Sequence, residues 1–283
     1  MKNFFIHQQS SSKYQDECLK FLTEISSEIG DSYFYVIDNS IKSKYTSDSI
    51  HFLPGDNEFR EFSSWEIGYQ AVLENQIDKK FNLVVSNETI FSHRAFDKPL
   101  KRAFISSFAN AVRLETPCIC GHFDPYNQKN DFFSDSFKGH ISTFLFLINS
   151  AAIKEFNGFL EMNSLLKEAF NEKYDQNNSV FKTNFFKKYP GYLGLLENWV
   201  YKTGSHKKWY SHAELTEKNF TKQKLKVHSI ILEQSITNKI VEKGGSIEDI
   251  CLKIKRNFLE KVVFRFYKLK YSLKWRLEKI LNL

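Results

Sequence analysis

Three short polar clusters carry the first chemical signal in this chain: Asp38-Asn39-Ser40, Asp56-Asn57 and Ser86-Asn87-Glu88. An aspartate accepts hydrogen bonds from N–H and hydroxyl groups, and an asparagine offers both donors and acceptors. A carboxylate such as Glu88 can also serve a hard cation, which takes oxygen ligands. Each cluster closes an apolar run: "SYFYVIDNS", "SIHFLPGDN" and "NLVVSNETIF". One such end alone is a turn or a helix cap, but several that converge make a binding site. A purely structural alternative stays open here, with Asn87 capping a turn and Glu88 starting a solvated helix.

These clusters need strands to present them. The runs Phe4–Gln9, Ser32–Ser40 and "SIHFLPGDN" predict strands, as do "KKFNLVVSNETIF", "PCICGHF" and His140–Ile148. Between them, "SKYQDECLKFLTEISSEIG" places Cys18, Phe21, Leu22 and Ile25 on one helical face and stops at Gly30. "SSWEIGYQAVLENQ" predicts a second helix capped by Ser63 or Ser64, and Pro99–Leu114 a third. The alternation is βαβ in character and implies a mainly parallel sheet with helices on both faces. Ligands of such sheets gather outside the carboxyl ends of the strands. Further on, Lys154–Tyr210 is a mixture of helix and loop, and "KVHSIILEQSITNKIVEKGG" contains a helix ending at Gly244-Gly245.

Composition bounds the class. The 283 residues are 42% hydrophobic and 16% aromatic, enough for a sizeable core. Apolar runs long enough to cross a bilayer are absent, and "MKNFFIHQQSSSKYQDE" lacks a signal-peptide core. The four cysteines form no disulfide framework, which suits a reducing cytoplasm. Cys118, Cys120 and His122 alternate along one strand face without zinc-like spacing, so a core face is expected there. The net charge of +7 is unevenly spread: residues 251–283 hold 10 Lys/Arg against 2 Asp/Glu, leaving the rest close to neutral.

In order and spacing, these motifs resemble GT-A glycosyltransferases. "VIDNS" resembles their "VDNxS" element, and "GDNEFREFSSWEIGYQAV" their Asn-containing turn and small-residue helix. "NLVVSNETIF" falls where they carry DxD or its variants, and the rhamnan-synthesis type is the nearest likeness. The resemblance covers roughly Phe4 to Ile250. It implies a GT-A-like, Rossmann-type α/β fold over residues 1–250, with a nucleotide-sugar half (1–115) and an acceptor half (116–250). It implies a nucleotide-sugar donor, held by Asp38, Asn39, Asp56, Asn57, Ser64, Asn87 and Glu88, and a glycan or lipid-linked glycan acceptor. Glu88 would hold Mg²⁺ or Mn²⁺ against the diphosphate, although its motif has one carboxylate where DxD has two; a Lys or Arg such as Arg94 is the substitute.

A general base is then required near the acceptor hydroxyl if the transfer inverts. Glu233, in the apolar context "SIILEQS" before a helix, is the first choice, because burial would raise its pKa. A helix cap is its structural alternative. Asp124 in "GHFDPYN" is the second choice, and His140 and Ser142 border the acceptor. "TGSHKKWYSH", with Lys207, Lys208, Trp209 and Tyr210, is either a lid or an exposed loop.

From Cys251 the chain has no Gly or Pro, and apolar residues from Ile254 to Ile280 recur in steps of three or four. A basic amphipathic C-terminal helix over 251–283 follows, suited to an anionic membrane surface at the inner face. Packing on the body or on a second copy, as in a homo-oligomer, is the alternative. Nucleic acid ranks last, since the body is not basic. A non-catalytic scaffold on a degenerate transferase fold is the rival to an enzyme.

Overall fold

The computed structural model describes residues 1–10, 15–76, 78–91, 96–126, 131–133, 138–174, 179–200, 215–256 and 259–261. Arg94, Lys207, Lys208, Trp209, Tyr210 and the tail beyond 261 lie outside the described residues.

Eight strands form one sheet: β1 (Lys2–Gln9), β2 (Ser32–Asp38), β3 (Tyr45–Ser47), β4 (Ile50–Pro54), β5 (Phe81–Asn87), β6 (Cys118–Pro125), β7 (Gly139–Ile148) and β8 (Ser246–Asp249). Their spatial order is β3-β4-β2-β1-β5-β7-β6-β8. The central β1 runs parallel to β2 and β5, and β2 parallel to β4. On the other side β7 is antiparallel to both β5 and β6, while β8 is parallel to β6. The sheet is therefore mixed, with four of its seven strand pairs parallel as expected and the antiparallel ones at β3–β4 and around β7. From β1 the chain builds outward through β2 and β4, then returns to β5 on the opposite flank, so the switch point lies between β1 and β5.

Central strands buried on both faces carry near-continuous apolar runs, as Phe4–Ile6 of β1 and Leu83–Val85 of β5 do. Phe4, Ile6, Leu83 and Val85 enter one core with α2 (Glu61–Asn75) and the 26-residue α8 (Glu217–Glu242). This core also takes in the region of α4 (Ser150–Ile153), α5 (Asn163–Ala169), α6 (Thr183–Phe186) and α7 (Pro190–Val200). Phe5 and Val84 enter the opposite core, with α1 (Gln15–Ile29) and α3 (Lys98–Ala111). Cys18, Phe21, Leu22 and Ile25 do face that core, and Gly30 ends α1 at φ 95°. Cys118 and Cys120 are core residues of the same side, their thiols pushed up by burial, Cys118 to about 11.

Two expectations are corrected. Helix α2 begins at Glu61, so Ser63 and Ser64 are internal and buried; Arg60 precedes the helix with φ 58° and ψ −137°. Residues 217–242 are one continuous helix, which puts Glu233 deep within α8 instead of before it. A Thr216–Asn219 capping box starts that helix.

Candidate functional site

The antiparallel entry of β7 builds the site. β5 pairs β7 only from Leu145 to Ile148, so the first half of β7 runs past the end of β5. There its N–H groups turn to α8: Ile141 N donates to Thr237 Oγ1 and Thr143 N to Glu233 Oε1, each at 2.9 Å. Thr237 and Glu233 are one helical turn apart, which matches a two-residue step along the strand. Across the β6–β7 ladder Asp124 pairs with His140. The start of β7 and the end of β6 thus lie beside the carboxyl ends of β1 and β5.

A cleft of about 820 Å³ opens at this place. Its lining includes Gln8 of β1 and Ser10 just after it, Asn57 and Arg60 before α2 with Glu61 at its start, and Asn87 and Glu88 at the end of β5. Asp124 and Tyr126 of β6 and its exit, His140, Ser142 and Thr143 of β7, and Lys226 and Glu233 of α8 complete it. The cleft stands at the sheet's switch point, where open α/β sheets bind ligands.

Of the sequence-derived candidates, Asn57, Asn87, Glu88, Asp124, His140, Ser142 and Glu233 come together on this lining. Asp38, Asn39, Asp56 and Ser64 do not line it. Asp38 is buried, accepting from Gln9 Nε2 at 2.6 Å and from the Ser40 backbone N–H and hydroxyl. Asn39 donates to Ser10 Oγ, and the buried Ser64 donates to Asn39 Oδ1. Asp56 accepts from Glu58 N in a local turn. These four lie beside the cleft and bond to residues at or near its rim, on the β2 side of Gln8 and Ser10.

The polar end of β5 is held by local bonds. Asn87 Oδ1 accepts from the backbone N–H and hydroxyl of Thr89, and Glu88 Oε2 accepts from Ser10 N at 2.9 Å. Among the described residues no three His, Cys, Asp or Glu are grouped to hold a metal ion. With one carboxylate here, and oxygens of both Asn87 and Glu88 already accepting, this donor set does not fit a resident divalent cation.

The acid–base groups cluster at the β6–β7 end. Glu233 Oε1 accepts from Thr143 N and Oγ1, both at 2.9 Å, and Oε2 lies 3.5 Å from His140 Nε2. Burial alone would raise the Glu233 carboxyl. His140 and the Thr143 bonds outweigh it and hold the carboxyl below its ordinary range. The expectation of a raised value is corrected, because it counted burial and could not see the partners. In turn, burial would lower His140, but Glu233 and then Asp124 hold it above its ordinary range. Each shift favours the charged form of its group, and His140 Nδ1 and Tyr126 Oη are hydrogen-bonded at 2.7 Å. Ser142 Oγ donates to Asp124 Oδ2, and His122 Nδ1 lies 3.5 Å from Asp124 Oδ1. The Asp124 side chain is 41% exposed against 22% for Glu233.

Sequence reading missed Ser10, Arg60, Glu61, Tyr126, Thr143 and Lys226. The Lys226–Ile230–Glu233 spacing is a helical-face signal, but only once the start of α8 is placed at Glu217. Fold and cleft define an α/β protein with a polar cleft at the switch point of an open sheet. No family model, curated protein or solved structure matches the chain.

Proposed function

We propose that the chain is a glycosyltransferase that moves a sugar from a nucleoside-diphosphate donor to a bacterial surface-glycan acceptor. One observation carries this reading. Asn57, Asn87 and Glu88 from one half of the chain meet Asp124, His140, Ser142 and Glu233 from the other in a single cleft of about 820 Å³, within the range of small-molecule sites. The amides and Glu88 suit a polar, hydroxyl-rich donor. Asp124, exposed to the cleft and held by Ser142, replaces Glu233 as the group that takes the acceptor's proton. Glu233 acts as a positioning residue that favours the charged form of His140 on the acceptor side of the cleft, near Asp124.

Membrane association belongs to the same proposal. Among the described residues no helix is long and apolar enough to cross a bilayer. The described start of the basic segment is anchored to the body, with Arg256 bonded to Asp97 and Glu260 to Arg102. Leu252 and Leu259 stay exposed beside Lys255 and Lys261. A basic tail continuing from that anchor suits anionic headgroups at the inner membrane face.

Calorimetry against UDP-, GDP-, CMP- and dTDP-linked sugars tests the reading. One donor binds, Glu88→Ala weakens it, and Asp124→Asn keeps binding while losing transfer at least a hundredfold. Absence of binding to every donor, with and without Mn²⁺, favours the rival reading of a non-catalytic scaffold.

A further inference from the structure

Arg60 and Lys226 form a cationic wall of the cleft that the proposed transfer chemistry leaves unused. They come from separate elements, the turn before α2 and the third turn of α8, yet both line the same cavity. Lys226 stands seven residues before Glu233 on α8, which is about 10 Å along the axis. Two like charges facing one space repel. The Lys226 amine is pushed down to about 8, by burial first and then by Arg60 and Lys222. The carboxylate beside Arg60 offsets this only in part. Glu61 Oε2 lies 3.8 Å from Arg60 Nε, and burial raises the Glu61 carboxyl, with Glu233 adding to the effect. Arg60 is also held at φ 58° and ψ −137°, a backbone state costly for any residue but glycine, with its side chain 50% exposed. An anion held between the two side chains offsets the repulsion that each charge feels from the other.

We propose that Arg60 and Lys226 bind a phosphate or diphosphate group of a cleft ligand whose other end reaches toward His140 and Glu233. The assignment of that group to a sugar substrate rests on the transferase reading; the anion site itself does not. The phosphate belongs either to the donor's diphosphate or to a phosphorylated acceptor.

The test uses the full chain with inorganic pyrophosphate as probe, in calorimetry and in ¹³C NMR of reductively methylated lysines. Pyrophosphate binds, and the Lys226 resonance titrates higher by more than one pH unit when it does. Lys226→Gln and Arg60→Gln each weaken binding at least tenfold, while Lys226→Arg retains it. Equal pyrophosphate affinity in wild type and both glutamine variants, or no binding to wild type, overturns the site. Competition by UDP assigns the phosphate to the donor, and competition by a sugar 1-phosphate alone assigns it to the acceptor. Pyrophosphate binding that depends on both residues, with no nucleotide sugar bound, sustains the anion site and defeats the transferase. Nucleotide-sugar binding unchanged by either substitution does the reverse.

Discussion

Glu233→Gln isolates the ion pair at the centre of the cleft. The amide keeps the shape of the side chain and still accepts from Thr143 N and Oγ1, so the change removes one thing, the counter-charge 3.5 Å from His140 Nε2. Leaving a buried charge unpaired costs about 3–5 kcal/mol, but His140 can release its proton and avoid most of that. The loss is then that of a charge-assisted hydrogen bond, about 2 kcal/mol. With a urea m-value of about 3 kcal/mol/M, the unfolding midpoint falls by about 0.7 M.

The size of the loss depends on pH, and its sign follows from the two shifts. Glu233's lowered carboxyl contributes fully above its ordinary value of 4.5, and the contribution fades as pH falls through the folded value. His140's raised imidazole contributes fully below 6.5, and the contribution fades as pH rises through the folded value. The difference between wild type and variant is therefore greatest between pH 4.5 and 6.5 and shrinks on both sides. Urea titrations across pH 3.5–9, together with the His140 Hε1 shift, measure both quantities. A pH-independent difference, or a wild-type His140 that titrates at or below 6.5, refutes the ion-pair assignment.

Arg256→Ala breaks a bidentate pair whose side chains are 17% and 10% exposed, and Asp97 keeps only the α3 cap to Leu100 N. The loss is about 3 kcal/mol in urea unfolding, and a protease cleaves after the anchor more readily. Gly121→Ala places a Cβ 2.5 Å from Ile141 Cγ2 beside the irregular step of the β6–β7 ladder. It costs about 1–3 kcal/mol, seen as a lower melting temperature, and loosens the pairing that sets Asp124 against His140.

Much of the fold was legible because its signals are local. The apolar runs of β1, β2 and β5 marked strands buried on both faces, and the α1 stripe from Cys18 to Ile25 marked its core side. Cys118 and Cys120 were readable as core by alternation alone. Asn57, Asn87, Glu88 and Asp124 were found because polar groups ending apolar runs are costly unless they bind something. Asp38 misled for the same reason: its cost is met inside the protein by Gln9 and Ser40, which no local pattern reveals. The edge strand β8 was missed because "SIED" is short and gains its strand character only from pairing with β6.

By itself, the sequence determined the central strands and the helices between them, which of their faces are apolar, and where polar groups interrupt them, since these depend on neighbours a few residues away. Only the tertiary structure decided that β7 enters antiparallel between β5 and β6, that α8 lies across its free end, and that Arg60, Lys226, His140 and Glu233 share one cleft. Charge state followed from that arrangement. A buried carboxyl is raised or lowered according to partners ninety residues away, and Coulomb and hydrogen-bond terms act through space, not along the chain.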